Sequence, residues 1–112
     1  LFPRVRGETL DFFQVRRWED LVPGPWNLLE PGPQSISVDP ASLDLILVPG
    51  LGYDRRRQRL GRGRGFYDRH LATLPARVQR LGLFFSIQEV IKLPCDEHDQ
   101  ALSAVLTEQG WV

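Results

Sequence analysis

The chain has 112 residues, of which 42% are hydrophobic and 25% charged, and its formal net charge is zero. These values are typical of a soluble globular domain and argue against a surface built as a whole to bind nucleic acid. The single cysteine excludes an internal disulfide, and no apolar run approaches the roughly 20 residues of a membrane-spanning helix. We expect one domain, located in the cytoplasm. Because the sequence contains no methionine, we also expect further residues upstream.

The first third of the chain predicts little regular structure. Residues 9–15 read as a strand, and residues 17–21 as a polar turn or short helix. Residues 22–40 contain five prolines and two glycines among large apolar side chains. This composition predicts an ordered but irregular surface connection.

The remainder predicts alternating strands and a helix. Residues 43–48 form a nearly continuous apolar run, the pattern of a strand buried on both faces of a parallel sheet. Helical spacing of apolar residues predicts a helix over residues 66–74, and apolar runs predict strands over 81–85 and 101–107. This order favours an α/β fold with a mostly parallel sheet.

An arginine- and glycine-rich segment lies between the first of these strands and the helix, where open α/β sheets bind ligands. Together with the first residues of the helix it contains seven arginines: Arg55, Arg56, Arg57, Arg59, Arg62, Arg64 and Arg69. So much like charge in a short segment favours a bound anion, and alternating glycines allow a phosphate to approach the backbone. The spacing matches neither G-x-x-x-x-G-K-[ST] nor G-x-G-x-x-G. A structural glycine turn with solvated arginines and an RGG-like nucleic-acid segment are the alternatives, and the flanking strand and helix count against the second.

Two stretches of this region, residues 43–54 and 59–69, resemble the signature of the 5-formyltetrahydrofolate cyclo-ligases. They read Leu-Asp-Leu-Ile-Leu-Val-Pro-Gly-Leu-Gly-Tyr-Asp and Arg-Leu-Gly-Arg-Gly-Arg-Gly-Phe-Tyr-Asp-Arg. Residues 93–99 and 105–108 are similar to the C-terminal segment of that family, and residues 26–31 to the loop before its strand. The resemblance covers most of the chain, and its specific motifs lie in the second half.

The resemblance implies an enzyme that uses ATP and Mg²⁺ to convert 5-formyltetrahydrofolate to 5,10-methenyltetrahydrofolate. The ATP-binding residues that it implies are Arg59, Leu60, Gly61, Arg62, Gly63, Arg64, Gly65, Phe66 and Tyr67. The folate-binding residues that it implies are Arg62, Gly63, Arg64, Gly65, Phe66 and Trp26. The resemblance also implies a catalytic role for Arg64, at a position where some family members have lysine, and Mg²⁺ binding by Asp68 and Asp99.

The fold that the resemblance implies is a three-layer α/β/α arrangement with a mostly parallel, NagB/ribose-isomerase-like sheet. Residues 1–112 are then the C-terminal portion of a single cyclo-ligase domain, incomplete at the N-terminus. A missing N-terminal segment, which carries basic ATP contacts in the family, is expected to complete the fold. The expected partner is the small-molecule substrate, with no membrane or nucleic acid. Ser103 stands where the family often has an acid, which leaves the number of carboxylates at the metal open.

Each of these assignments has a simpler alternative. In these alternatives, Asp68 caps the helix or pairs with Arg64 or Arg69 on its surface, Asp99 is a turn or cap residue, and Trp26 is a packing anchor. Residues 55–57 are expected to be a solvated arginine triplet in a polar turn, contributing little to a site. At the level of function, the alternatives are an enzyme acting on a sugar phosphate and a catalytically incomplete cyclo-ligase-like domain that only binds phosphate or RNA.

Overall fold

The computed structural model describes residues 1–112, which divide into two compact units, Leu1–Ser42 and Leu43–Val112. No helix in either unit has the length and hydrophobicity needed to cross a lipid bilayer.

The first unit is built from five short strands. They are β1 (Phe2–Arg6), β2 (Thr9–Gln14), β3 (Leu21–Pro23), β4 (Leu29–Pro31) and β5 (Ile36–Ser37). β2 pairs antiparallel with β1 on one side and with β5 on the other, and β3 pairs antiparallel with β4. Arg4 in β1 donates hydrogen bonds of 2.7 Å to the carbonyl oxygens of Pro31 and Gly32, which ties the β3–β4 pair to the sheet.

The predicted strand over residues 9–15 and the predicted turn over residues 17–21 are confirmed, as β2 and as the 3-10 helical turn Trp18–Asp20. The segment predicted to be irregular also contains β3 to β5. These strands have two or three residues each, which is too short for an alternating apolar pattern to emerge, and prolines lie in β3 and β4.

The second unit contains six strands and one α-helix. They are β6 (Leu45–Val48), β7 (Gly52–Tyr53), β8 (Arg59–Leu60), α1 (Phe66–Thr73), β9 (Gln79–Leu83), β10 (Ala104–Thr107) and β11 (Gly110–Trp111). The main sheet has the order β11-β10-β9-β6, in which β6, β9 and β10 are parallel and β11 is antiparallel. The predicted strand–helix–strand unit and parallel sheet are confirmed, as a mixed α/β arrangement with one helix.

Strand β9 begins two residues before the predicted strand over 81–85. Its first two residues, Gln79 and Arg80, are polar, yet they pair with Leu45 and Ile46 of β6. The hydropathy pattern does not show that the strand begins here, because these two residues join the sheet through their backbone and not through apolar side chains.

Within residues 1–112, the first parallel strand is buried on one face and not on both faces as predicted. Ile46 and Val48 are 4% and 1% exposed and belong to the core, whereas Leu45 and Leu47 are 47% and 53% exposed. Successive side chains of a strand point to opposite faces, so one face of β6 is buried and the other is accessible.

Arg80 holds the C-terminal end of α1 from the neighbouring strand. Its guanidinium donates to the carbonyl oxygens of Val78 at 2.6 Å, Leu71 at 3.1 Å, Leu74 at 3.3 Å and Pro75 at 3.4 Å. The last carbonyl groups of a helix have no partner within the helix, and they carry partial negative charge. A cation placed there satisfies these acceptors and anchors α1 to the sheet.

We expect the substitution Arg80→Met to lower the free energy of unfolding by about 2 kcal/mol, because several carbonyl groups lose a charged donor while the apolar stem is kept. Urea denaturation followed by circular dichroism measures this. The control is Arg55→Met, which removes a surface ion pair and should cost less than about 1 kcal/mol. Equal losses for the two variants would contradict the capping role.

Candidate functional site

The candidate site follows the carboxyl end of β6. After Val48 the chain forms the antiparallel β7–β8 hairpin, and β8 leads directly into residues 61–65, here called the glycine loop. Gly65, the last residue of this loop, is the N-cap of α1 and has a φ of +69°. The predicted ligand residues therefore lie at the strand-to-helix connection of a parallel sheet, the usual ligand position of such sheets.

Asp54 fixes the turn of this hairpin and is 0% exposed. One oxygen accepts the backbone N–H groups of Arg56 and Gln58, at 2.9 and 3.2 Å. The other accepts the N–H of Leu93 and the guanidinium of Arg56, both at 2.9 Å. Burial acts to raise the pKa of this carboxyl, but the hydrogen bonds from Leu93, Arg56 and Gln58 outweigh it and lower the pKa below its usual value.

Sequence reasoning missed the structural role of Asp54. The signal that was available is an aspartate directly before a polar stretch, because aspartate side chains often accept a hydrogen bond from the backbone two residues on.

All three arginines of the triplet are exposed, and two of them also donate to distant backbone carbonyl groups. The side chain of Arg55 is 76% exposed, as expected. Arg56 donates to the carbonyl oxygen of Leu93 at 2.6 Å, and Arg57 donates to that of Ser103. The expected exposure is found for the whole triplet, but Arg56 and Arg57 also bind carbonyl groups that are distant in the sequence and near only in the folded chain.

Arg59 points into the protein. Its side chain is 5% exposed, and it donates to the carbonyl oxygen of Pro49 at 3.0 Å. Its Nη2 lies 3.4 Å from the Asp68 carboxylate, and its guanidinium carbon lies 5.7 Å from the centre of the Tyr67 ring. The Nε atom is buried without a hydrogen-bond partner.

The tip of the glycine loop, by contrast, faces outward. Arg62, Gly63 and Arg64 are all exposed. Gly63 has a φ of +96°, and a Cβ atom built on it would meet nothing within 4 Å. The backbone is thus open at this point, with two cations beside it.

The start of α1 is more enclosed. Tyr67 is half-buried, and this burial raises the pKa of its hydroxyl, while the positive charge of Arg59 acts in the opposite direction. Arg69 lies 5.5 Å from the centre of the Phe66 ring, and its Nη1 would be 2.9 Å from a Cβ atom on Gly65. Leu60, on the other side of the loop, is 47% exposed.

Asp68 is held by contacts from outside the helix. Its ion pair is with Arg59, and the same oxygen accepts the backbone N–H of Gln100 at 3.2 Å. The second contact brings the segment that contains Asp99 against the start of α1. The Asp68 side chain is 28% exposed, so it remains accessible beside the loop.

Asp99 itself closes a local turn. Its carboxylate accepts the backbone N–H of Asp96 at 2.8 Å, which is the simpler role considered for it. The hydroxyl of Ser103 accepts the backbone N–H of Arg80 at 2.9 Å and thus joins two strands. No group of three or more histidine, cysteine, aspartate or glutamate side chains is placed to hold a metal ion.

Trp26 belongs to the first unit. It lies in the 3-10 turn Pro25–Asn27, has a φ of +57° and is 58% exposed. An exposed indole does not match the packing-anchor alternative, and its assignment to the folate stays a prediction.

Comparison with known proteins identifies the family. A model described as the 5-formyltetrahydrofolate cyclo-ligase family matches residues 1–108. The chain belongs to the 5-formyltetrahydrofolate cyclo-ligase family. The resemblance seen in residues 43–54 and 59–69 is thereby confirmed.

Individual cyclo-ligases are similar over nearly the whole chain. The 5-formyltetrahydrofolate cyclo-ligase of Mus musculus is 38% identical over 96% of the chain and 59% of the relative, and that of Mycolicibacterium smegmatis is 39% identical over 96% and 58%. The NMR structure of Aquifex aeolicus 5,10-methenyltetrahydrofolate synthetase matches with a TM-score of 0.82 and 31% identity, over 97% of the chain and 55% of that structure. The chain therefore spans about three fifths of the length of its curated cyclo-ligase relatives.

We expect Asp54→Asn to destabilise this cyclo-ligase chain at neutral pH, by about 1–3 kcal/mol, because an amide NH₂ would then face donors that now meet a carboxylate oxygen. The folded-state pKa of Asp54 lies below its unfolded value of about 3.9, so the ionised group stabilises the fold above that pH, and the stabilisation is lost as the pH falls below it.

Urea denaturation between pH 7 and pH 2 tests this: the loss of stability toward acid should be shallower in Asp54→Asn than in the unmodified chain. Glu89→Gln, which removes the carboxylate of a surface ion pair, should keep the original slope. Parallel curves for Asp54→Asn and the unmodified chain would show that Asp54 is not the titrating group.

Proposed function

We propose that this protein is an ATP-dependent cyclo-ligase that converts 5-formyltetrahydrofolate to 5,10-methenyltetrahydrofolate, releasing ADP and phosphate. The observation that carries the proposal is the glycine loop. In a chain of the cyclo-ligase family, an open backbone flanked by two exposed arginines connects the β7–β8 hairpin, which follows a parallel strand, to the N-terminus of a helix. The names of the relatives state the ligase or synthetase reaction for those proteins.

The loop fits the phosphates of ATP. Backbone at Gly63 leaves room for a ligand, and the N-terminus of α1 offers N–H groups and partial positive charge. Arg62 and Arg64 add guanidinium groups that match phosphate oxygens. We assign the triphosphate to residues 60–67 and the folate to residues 62–66.

One carboxylate lies beside the glycine loop and could hold Mg²⁺. In phosphoryl-transfer sites Mg²⁺ is held by one or two carboxylates together with substrate phosphates. Asp68 supplies this carboxylate. Asp99 instead closes a turn, and the hydroxyl of Ser103 accepts a hydrogen bond from the backbone N–H of Arg80. Asp68 would therefore hold the ion, which supplies charge neutralisation at the phosphates. Asp99 is proposed only as a more distant contributor, through water.

The proposed phosphoryl transfer depends more on alignment of the substrates and neutralisation of the phosphate charge than on a protein nucleophile. The formyl oxygen receives the phosphoryl group, N10 attacks the activated carbon, and phosphate leaves as the ring closes. Arg64 would neutralise the charge of the transferring group, and Arg62 would orient the neighbouring phosphates. A cation fixed at the transferring group is a large contribution to such reactions.

The finer architecture is part of the same proposal. Residues 1–112 would be the C-terminal portion of a single cyclo-ligase domain, with a three-layer α/β/α, NagB/ribose-isomerase-like fold. The exposed Leu45 and Leu47 support a further layer, because parallel sheets are normally covered on both faces. The part of the relatives that this chain does not match would supply that layer and further ATP contacts. We propose cytoplasmic activity on the free folate, without nucleic acid or membrane.

We expect a full-length protein containing this sequence to form the methenyl chromophore from 5-formyltetrahydrofolate only when ATP and Mg²⁺ are both present. Absorbance of the product, with ADP release measured in parallel, tests this. Nucleotide binding without conversion would instead indicate a domain that only binds. Polyanion binding that weakens steeply with salt and ignores nucleotide would indicate an RNA-binding module.

Within that protein, Arg64→Ala should lower kcat by about 100-fold or more, because it removes a cation positioned at the phosphoryl group. Arg55→Ala should leave kcat within about twofold, since an exposed surface ion pair contributes little. Steady-state kinetics at saturating ATP measure both. Similar losses for the two variants would mean that only the diffuse charge of the segment matters.

A further inference from the structure

Arg59 differs from the arginines of the glycine loop because its charged side chain is buried. Its side chain is 5% exposed, while Arg62 and Arg64 on the tip of the loop are exposed. A guanidinium taken out of water needs close anions or acceptors to be stable. Arg59 has two, the Asp68 carboxylate at 3.4 Å and the Pro49 carbonyl oxygen at 3.0 Å.

These contacts join three elements around the base of the loop. Pro49 directly follows β6, Arg59 lies in β8, and Asp68 is in the first turn of α1. Gly61 fits closely over the same guanidinium, since a Cβ atom on it would lie 3.0 Å from Nη1. One buried side chain therefore sets the distance between the strand that enters the loop and the helix that leaves it.

The interior position of Arg59 is not explained by packing alone. Its Nε is buried without a hydrogen-bond partner, and an unsatisfied buried donor costs free energy. An apolar side chain of similar length would fill the space without that cost. What it would not do is hold the Asp68 carboxylate in place, and we infer that this is the reason for the charge.

We propose that Arg59 is a positioning residue, which holds Asp68 and the base of the glycine loop from inside the protein and does not itself contact the phosphates. Phosphate contact is left to the exposed Arg62 and Arg64. The assignment of ATP to this loop rests on the proposed function. The positioning role itself rests on the burial and contacts of Arg59, and it revises the expectation that Arg59 lines the triphosphate.

Two readouts test the proposal in the full-length protein. The first is limited trypsin digestion without nucleotide, with cleavage after Arg62 and Arg64 quantified by mass spectrometry. Arg59→Lys keeps the charge but loses the planar fork, so cleavage at these two sites should become at least several-fold faster. Asp68→Asn, which leaves Arg59 without its anion, should do the same, while Arg55→Lys should leave the cleavage rate unchanged.

The second readout is the division between kcat and KM. Arg59→Lys should lower kcat by roughly 10-fold to 100-fold through misplaced groups, while the KM for ATP stays within about twofold. A rise in the KM for ATP with unchanged cleavage would show instead that Arg59 is a phosphate ligand. Unchanged cleavage in both Arg59→Lys and Asp68→Asn would also overturn the proposal.

The two readouts separate this proposal from the proposed function. If the unmodified protein forms no methenyl product, the function fails, but the digestion still decides whether Arg59 fixes the loop. If Arg59→Lys does not fold, Asp68→Asn provides the same comparison with Arg59 intact.

Discussion

Repulsion among the seven arginines between residues 55 and 69 is the constraint on which the second unit depends. A cation enters the protein interior only beside an anion or several acceptors. Asp68 pairs with Arg59, whose side chain is buried, and the buried Asp54 pairs with Arg56, whose side chain stays partly exposed. Some arginines of the segment thus bind backbone carbonyl groups, whereas Arg62 and Arg64 lie exposed on the glycine loop.

This sorting gives the candidate site an inner and an outer layer. The inner layer fixes the hairpin through Asp54 and the start of α1 through Asp68, so the two ends of the glycine loop are held independently of any ligand. The outer layer consists of Arg62 and Arg64 beside an open Gly63. Phosphoryl transfer benefits from such an arrangement, because cations positioned before the ligand arrives need little reorganisation when charge develops.

The helix behind the loop illustrates the same use of charge. Eight residues are too few for a stable isolated helix, so α1 depends on its tertiary contacts. Arg80 binds the carbonyl groups at its C-terminal end, and Arg59 holds Asp68 in its first turn. At the carboxyl ends of the next two strands, Glu108 accepts hydrogen bonds from the hydroxyl and backbone N–H of Ser86, which lowers the pKa of its carboxyl. Ionic hydrogen bonds thus fix both ends of the helix and the rim of the sheet.

The sequence by itself determined the family, the order of β6, α1, β9 and β10, the parallel sheet and the place of the glycine loop, because these follow from local runs of apolar residues, glycines and arginines. Only the tertiary structure decided which arginine is buried and which groups the arginines bind. The partners of Arg56, Arg57 and Arg59 include Leu93, Ser103 and Asp68, which a linear pattern does not connect to them. The accessible face of β6 could not be predicted either, because its residues form a continuous apolar run. Such a run indicates that a strand can be buried, but only the packing of the folded chain decides which of its faces are covered.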